Sequence, residues 1–136
     1  MRASALSALI ILAATGCDSP SPFAGVEVKT LAATYSVGTA VTFTATNRGG
    51  TELYLSRCCE GAAVSVDRWQ GSDWVNYRSG MCVADCRMDA IDLPPAVGYV
   101  DSTVVSDTGR FRLNLGLATS PAGTINWLAS NDFEVK

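Results

Sequence analysis

The stretch GRFRLNLGL, Gly109 to Leu117, sets Phe111, Leu113 and Leu115 on one side of an extended chain and Arg110, Arg112 and Asn114 on the other. A period of two is the mark of a half-buried β-strand, with one face in a core and the other in water. Thr39 to Asn47 repeats the pattern, with Val41, Phe43 and Ala45 opposed to Thr42, Thr44 and Thr46. Two such strands in one short chain call for an antiparallel, one-side-wet sheet.

Working outward, further extended segments are expected at Val26 to Ala33, Glu52 to Ser56, Ala63 to Trp69, Trp74 to Tyr77, Val97 to Ser106 and Ile125 to Val135. The last of these carries a bulge or bend near Ser130-Asn131-Asp132. Asn47-Arg48-Gly49-Gly50 reads as a turn, and Gln70-Gly71-Ser72-Asp73 as a tight hairpin loop with Trp69 and Trp74 placed to pair across it. Ser79 to Asp92 loses the alternation, and a loop of this length is uncommon unless it is functional or pinned. No window beyond the N-terminal leader has a helical period. The fold class is therefore all-β, an antiparallel sandwich of about seven to nine strands.

Asp107-Thr108-Gly109-Arg110-Phe111-Arg112-Leu113 resembles the Asp-x-Gly-x-Tyr-x-Cys segment that opens strand F of immunoglobulin domains. Residues 26–136 as a whole resemble the immunoglobulin-like sandwiches of bacterial surface proteins. The resemblance implies an immunoglobulin-like β-sandwich with two departures. Phe111 lacks the hydroxyl of a tyrosine corner, and Phe43 and Leu113 stand where an inter-sheet disulfide would be, so the cysteines belong to an edge or end.

At the N-terminus, Arg2 precedes Ala3 to Ala14, an apolar run broken only by Ser4 and Ser7. A positive start, about 7 to 15 apolar residues and small residues at a cleavage point describe a secretory signal peptide, too short to span a bilayer. Ala14-Thr15-Gly16-Cys17 resembles the lipobox of bacterial lipoproteins, with Ala14 in place of the more usual Leu. That resemblance implies residues 1–16 as signal peptide and diacylglycerol on Cys17. Residues 17–25 then form the lipidated cysteine and its tether, and two acyl chains meet the requirement for stable anchoring. It also implies an extracytoplasmic place in the cell envelope, with Asp18 fitting an inner-membrane retention pattern.

Composition narrows the chemistry. Loss of Arg2 leaves nine basic against thirteen acidic residues, with no stripe of positive charge for nucleic acid or anionic lipid. The chain has no histidine, which removes the commonest general base and metal ligand. Its lysines, Lys29 and Lys136, lie near the domain ends. No nucleophile elbow, phosphate loop or dinucleotide fingerprint is present. Asp85, Asp89 and Asp92 read as solvated loop aspartates rather than a glycosidase dyad. Asp101, Asp107, Asn131 and Asp132 read as turn caps rather than calcium ligands.

Cys58, Cys59, Cys82 and Cys86 remain after Cys17, an even number in an oxidising compartment, so structural disulfides are the first expectation. Adjacent cysteines seldom bond to each other, which favours bridges from the Cys58/Cys59 pair to the Cys82/Cys86 loop. Each would stabilise the fold by about 3 kcal/mol. The competing readings are a thiolate site for zinc or cuprous copper and a redox role, with Arg57 and Arg87 lowering the thiol pKa. No resident metal or cofactor is expected under the first reading.

The functional expectation is a non-enzymatic module that binds or scaffolds an envelope or secreted protein, using loops, the Ser79 to Asp92 segment, and Trp69, Trp74 and Tyr77 if these are exposed rather than covering the sheet. The alternative is a thiol-based metal-binding or redox protein of the envelope. A proteinase inhibitor is a third idea, with no reactive loop to identify it.

Overall fold

A computed structural model describes residues 21–80 and 89–136 as strands and connections, with no helix among them. The strands are β1 Val26–Thr30, β2 Thr34–Tyr35, β3 Ala40–Asn47, β4 Leu53–Leu55, β5 Arg57–Cys58, β6 Gly61–Ala62, β7 Val64–Trp69, β8 Trp74–Arg78, β9 Ile91–Leu93, β10 Gly98–Val104, β11 Gly109–Ala118 and β12 Asn126–Val135. They form a small sheet, β1-β3-β10, and a larger one in which β12 and β11 are central. The inner faces of both sheets meet in one apolar cluster that includes Val41, Phe43, Leu113, Leu115 and Phe133. The chain is all-β, in an arrangement consistent with a β-sandwich.

The alternation anticipated for Gly109 to Leu117 places Phe111, Leu113, Leu115 and Leu117 at 0% exposure, so β11 is the spine of the core. Phe43 is equally buried on β3. Large rings thus fill the inter-sheet space that a disulfide would otherwise cross. One buried polar side chain closes the end of the core. Asn47 donates from Nδ2 to the carbonyls of Thr51 (2.8 Å) and Leu93 (2.9 Å), and its Oδ1 accepts from the Gly49 amide (2.9 Å). Both amide protons and the amide oxygen that burial removes from water find partners there.

Three features differ from the sequence reading. The strand expected from Val26 to Ala33 ends at Thr30, where β1 pairs antiparallel with β3, and beyond it the chain changes sheets so that the unexpected β2 pairs parallel with β12. The chain before Leu93, expected as loop, contributes β9, which pairs with β4. The small hairpin β5–β6 is an addition. The irregularity expected near Ser130 is present: Asp132 pairs with Arg112 and Ala129 with Asn114, leaving Ser130 and Asn131 opposite Leu113 alone. The Leu113 amide donates to Ser130 Oγ at 3.0 Å, so a side chain replaces the ladder bond that the bulge breaks.

Candidate binding face and cysteine-bearing edge

β11 uses one edge for two partners in turn. Leu117 and Ala118 pair with Leu55 and Tyr54 of β4, whereas Leu115 to Phe111 pair with Val64 to Arg68 of β7. Between them Gly116 accepts from the Ser56 amide (2.9 Å) and donates to the Ala63 carbonyl (3.2 Å). β4 and β7 are therefore one strand in space, interrupted by an insertion at residues 57–62. Next to it, β8 pairs with β7 and β9 with β4, both antiparallel. These also lie in line as one edge strand, interrupted between Arg78 and Ile91. Two neighbouring strands thus open at the same level of the sheet.

The first insertion is the β5–β6 hairpin, whose two-residue loop is Cys59-Glu60. Cys59 sits at φ 58, a left-handed conformation that costs a non-glycine residue about 1–2 kcal/mol. Cys58 and Cys59 are both disulfide-bonded. Cys82 and Cys86, which belong to the second interruption, lie outside the described residues, as do Cys17, Asp85 and Arg87.

The hairpin folds toward the small sheet. Asp101 of β10 accepts through Oδ2 from the Ala62 amide (3.0 Å) and from the Tyr99 hydroxyl (2.8 Å). Burial, and then the Asp101 carboxylate that favours the protonated phenol, push the Tyr99 pKa up to about 12. Arg78 completes this side of the molecule by donating to the Val104 carbonyl (2.8 Å) and to Thr103 Oγ1. Side chains from both sheets therefore close the open edge between them.

The outer face of the larger sheet is the second concentration of chemistry. Residues that alternate with the buried row of β11 point outward: Arg110, Arg112 and Asn114. Trp69 and Trp74 face each other across the β7–β8 hairpin, with ring centroids 5.3 Å apart. The Arg112 guanidinium lies 4.7 Å from the Trp74 ring, and that of Arg110 lies 5.7 Å from Trp69. Arg112 is also held by Asp67 Oδ2 (2.9 Å) and Arg110 by Asp132. The Arg110 guanidinium in turn holds the Asp132 carboxyl below its ordinary pKa. Trp127, opposite Gly116 on β12, projects from the same face and is 48% exposed. All three tryptophans of the chain thus share one face, as register and parity require.

Of the three aromatic anchors named from sequence, the structure brings Trp69 and Trp74 together and sends Tyr77 elsewhere. Tyr77 packs edge-on against Phe111 at 5.2 Å, on the core side. It lies three positions after Trp74, an odd offset, so the two side chains leave opposite faces of the strand. Trp127, absent from the sequence-level set, could have been found from its place in the β12 alternation once its register with Gly116 was known.

The remaining candidates are scattered. Asp101 is engaged as above, Asn131 donates to Thr30 Oγ1 (2.9 Å) and Asp132 is paired with Arg110. Asp92 is exposed on β9, and Asp107 and Asp89 are exposed in connections. Lys29 pairs with Glu27, and Lys136 with Glu134 at 2.8 Å. Among the described residues, no three histidine, cysteine, aspartate or glutamate side chains converge as a metal cluster would require. No helix among those residues is long and apolar enough to cross a membrane.

No family model matches the chain, and no curated protein matches it. Among solved structures, it is similar to the chain described as "AvmM Catalyzes Macrocyclization in Alchivemycin A Biosynthesis", with a TM-score of 0.36 and 11% identity over 81% of this chain and 87% of that one.

Proposed function

We propose that this protein is an extracytoplasmic lipoprotein, held at a membrane of the cell envelope by diacylglycerol on Cys17, whose immunoglobulin-like sandwich is a non-enzymatic binding module for an envelope or secreted protein. The strand order supports the immunoglobulin-like type. The first strand changes sheets to pair parallel with the last, β1, β3 and β10 form one sheet, and β12, β11, the joint β4/β7 strand and β8 form the other. The observation that carries the binding role is the outer face of that larger sheet, where Trp69, Trp74, Trp127, Arg110 and Arg112 gather. Tryptophan and arginine are the residues enriched where protein contacts concentrate their energy.

The two interruptions of neighbouring strands support cystines from Cys58 and Cys59 to Cys82 and Cys86. Insertions that leave adjacent strands at one level are placed to be stapled together. Such bridges brace the edge beside the binding face. In this oxidised state the sulfurs are not thiolates, and a thiol-based metal or redox role requires their reduction.

A photo-crosslinking residue at position 74, with a control at position 100 on the outer face of the small sheet, tests the module in its native envelope. One discrete adduct from position 74 and none from position 100 is the expected result. Equal labelling from both faces, or none from either, overturns the reading. Cys17→Ser tests the anchor separately: metabolic incorporation of a labelled fatty acid and sedimentation with membranes should both be lost. Thiol titration distinguishes the metal or redox alternative, which requires four free thiols.

A further inference from the structure

Beside Trp127 the outer face dips into a cavity of about 290 Å³, lined by Ser65, Asn76, Ser79, Gly80, Asn114 and Trp127. Every lining side chain is neutral. A site without a cation or carboxylate has nothing with which to single out a phosphate, a metal ion or a charged peptide. What it offers is one apolar wall and several groups that both donate and accept. The volume stands near the lower limit of small-molecule sites, roughly 300 Å³, which suits one ring-sized ligand.

We propose that this cavity is a subsite for a single pyranose ring of a neutral saccharide. Such a ring has an apolar face of C–H groups and a rim of hydroxyls, each both donor and acceptor. The half-exposed indole of Trp127 supplies a flat surface for the apolar face. Asn114 supplies an amide with paired donor and acceptor atoms for the rim, and Asn76 supplies its acceptor oxygen. The Asn76 amide is already oriented, its Nδ2 donating to Ser65 Oγ (3.3 Å) and to the Arg78 carbonyl (3.4 Å).

The backbone adds a second constraint. A Cβ on Gly80 would lie 2.9 Å from Trp127 Cη2 and 2.8 Å from the Ser65 amide nitrogen. The chain therefore runs flush against the sheet at this point, and the indole has room only because residue 80 lacks a side chain. Along β11, Arg112 lies two residues before Asn114 on the same face, about 7 Å away, so a longer glycan laid on the sheet would continue toward the Trp74 stack. The subsite does not depend on the lipid anchor or on a protein partner.

Saturation-transfer NMR and calorimetry on the full chain in a sugar-free detergent, with methyl β-glucopyranoside, maltose and N,N′-diacetylchitobiose as probes, test the proposal. At least one probe should bind, with saturation strongest on the C–H protons of one ring face. Trp127→Ala should weaken that binding about five- to ten-fold, the worth of one aromatic contact, and Trp127→Phe by less. Val100→Ala, on the outer face of the small sheet, should leave it unchanged, with thermal melts confirming that each variant folds. Failure of all three probes to bind, or an equal loss in Val100→Ala and Trp127→Ala, overturns the subsite.

Discussion

The Ala63 amide donates to the Ser56 carbonyl at 2.6 Å, closing the base of the inserted hairpin. Seven positions apart in sequence, the two residues flank a single level of β11, at Gly116. The strand is therefore cut without its ladder being lost, because both ends of the cut remain bonded to the same residue. Neighbouring β8 and β9 are cut at the same level, and the four cysteines of the domain lie in the two inserted segments.

Removing the proposed cystines should thus loosen an edge and leave the core in place. Cys58→Ser with Cys59→Ser is expected to keep a β-type circular dichroism spectrum and a cooperative urea transition. The midpoint should drop by an amount equivalent to about 3 kcal/mol per lost bridge, the entropy of closing loops of some 25 residues. Reducing the native protein should give a similar fall. Collapse of the β spectrum on reduction would show that the insertions are part of the folding core.

Arg78 links the sheets across this edge through the Val104 carbonyl and Thr103 Oγ1. A guanidinium bonded to a carbonyl at the surface contributes about 1 kcal/mol. Arg78→Ala should cost that much and no more in urea unfolding, and it should raise amide exchange at β8 and β10 while sparing β11 and β12. A loss of several kcal/mol would place Arg78 in a larger network than these contacts describe.

Long, self-consistent alternation was what made the sequence readable. β3, β7, β10, β11 and β12 each run six residues or more, and their inward rows supply most of the buried core. The four elements that escaped reading, β2, β5, β6 and β9, are two or three residues long. Nothing periodic fits into so few positions. β2 and β9 depend on partners distant in sequence, as Ile91 depends on Leu55 and Thr34 on Glu134, and β5 and β6 pair only with each other in a hairpin of six residues. The candidate face was half legible for a related reason. Trp69 and Trp74 are neighbours through a local hairpin, whereas Trp127 and Asn114 join one face only through the register of β11 with β12.

That register turns on the bulge opposite Leu113, which is fully buried where Ser130 and Asn131 oppose it together. Leu113→Ala should cost about 3 kcal/mol by lost transfer and residual cavity, with the bulge limiting how far the backbone can collapse to fill the space. Ser130→Ala removes the acceptor for the Leu113 amide and should cost about 1 kcal/mol. Because the two sites touch, the double variant should fall short of the sum, and urea melts of all three proteins measure the coupling.

Alkaline pH probes the inter-sheet contact at Tyr99. Its folded pKa is about 12, above the ordinary tyrosine value of 10.0, because burial and then the Asp101 carboxylate disfavour the phenolate. A folded pKa raised above the unfolded one contributes stability that is fully present below pH 10 and is lost as the pH climbs through 12. Stability of the native protein should therefore fall over that window more steeply than that of Tyr99→Phe, which has no proton to lose there. Phenolate absorbance should show one tyrosine ionising late in the native protein and missing from the variant. Asp101→Asn keeps an acceptor for the Tyr99 hydroxyl and the Ala62 amide but removes the charge, so it should bring the late step down toward 10 without abolishing it. An unchanged late step in Asp101→Asn would leave burial as the whole cause.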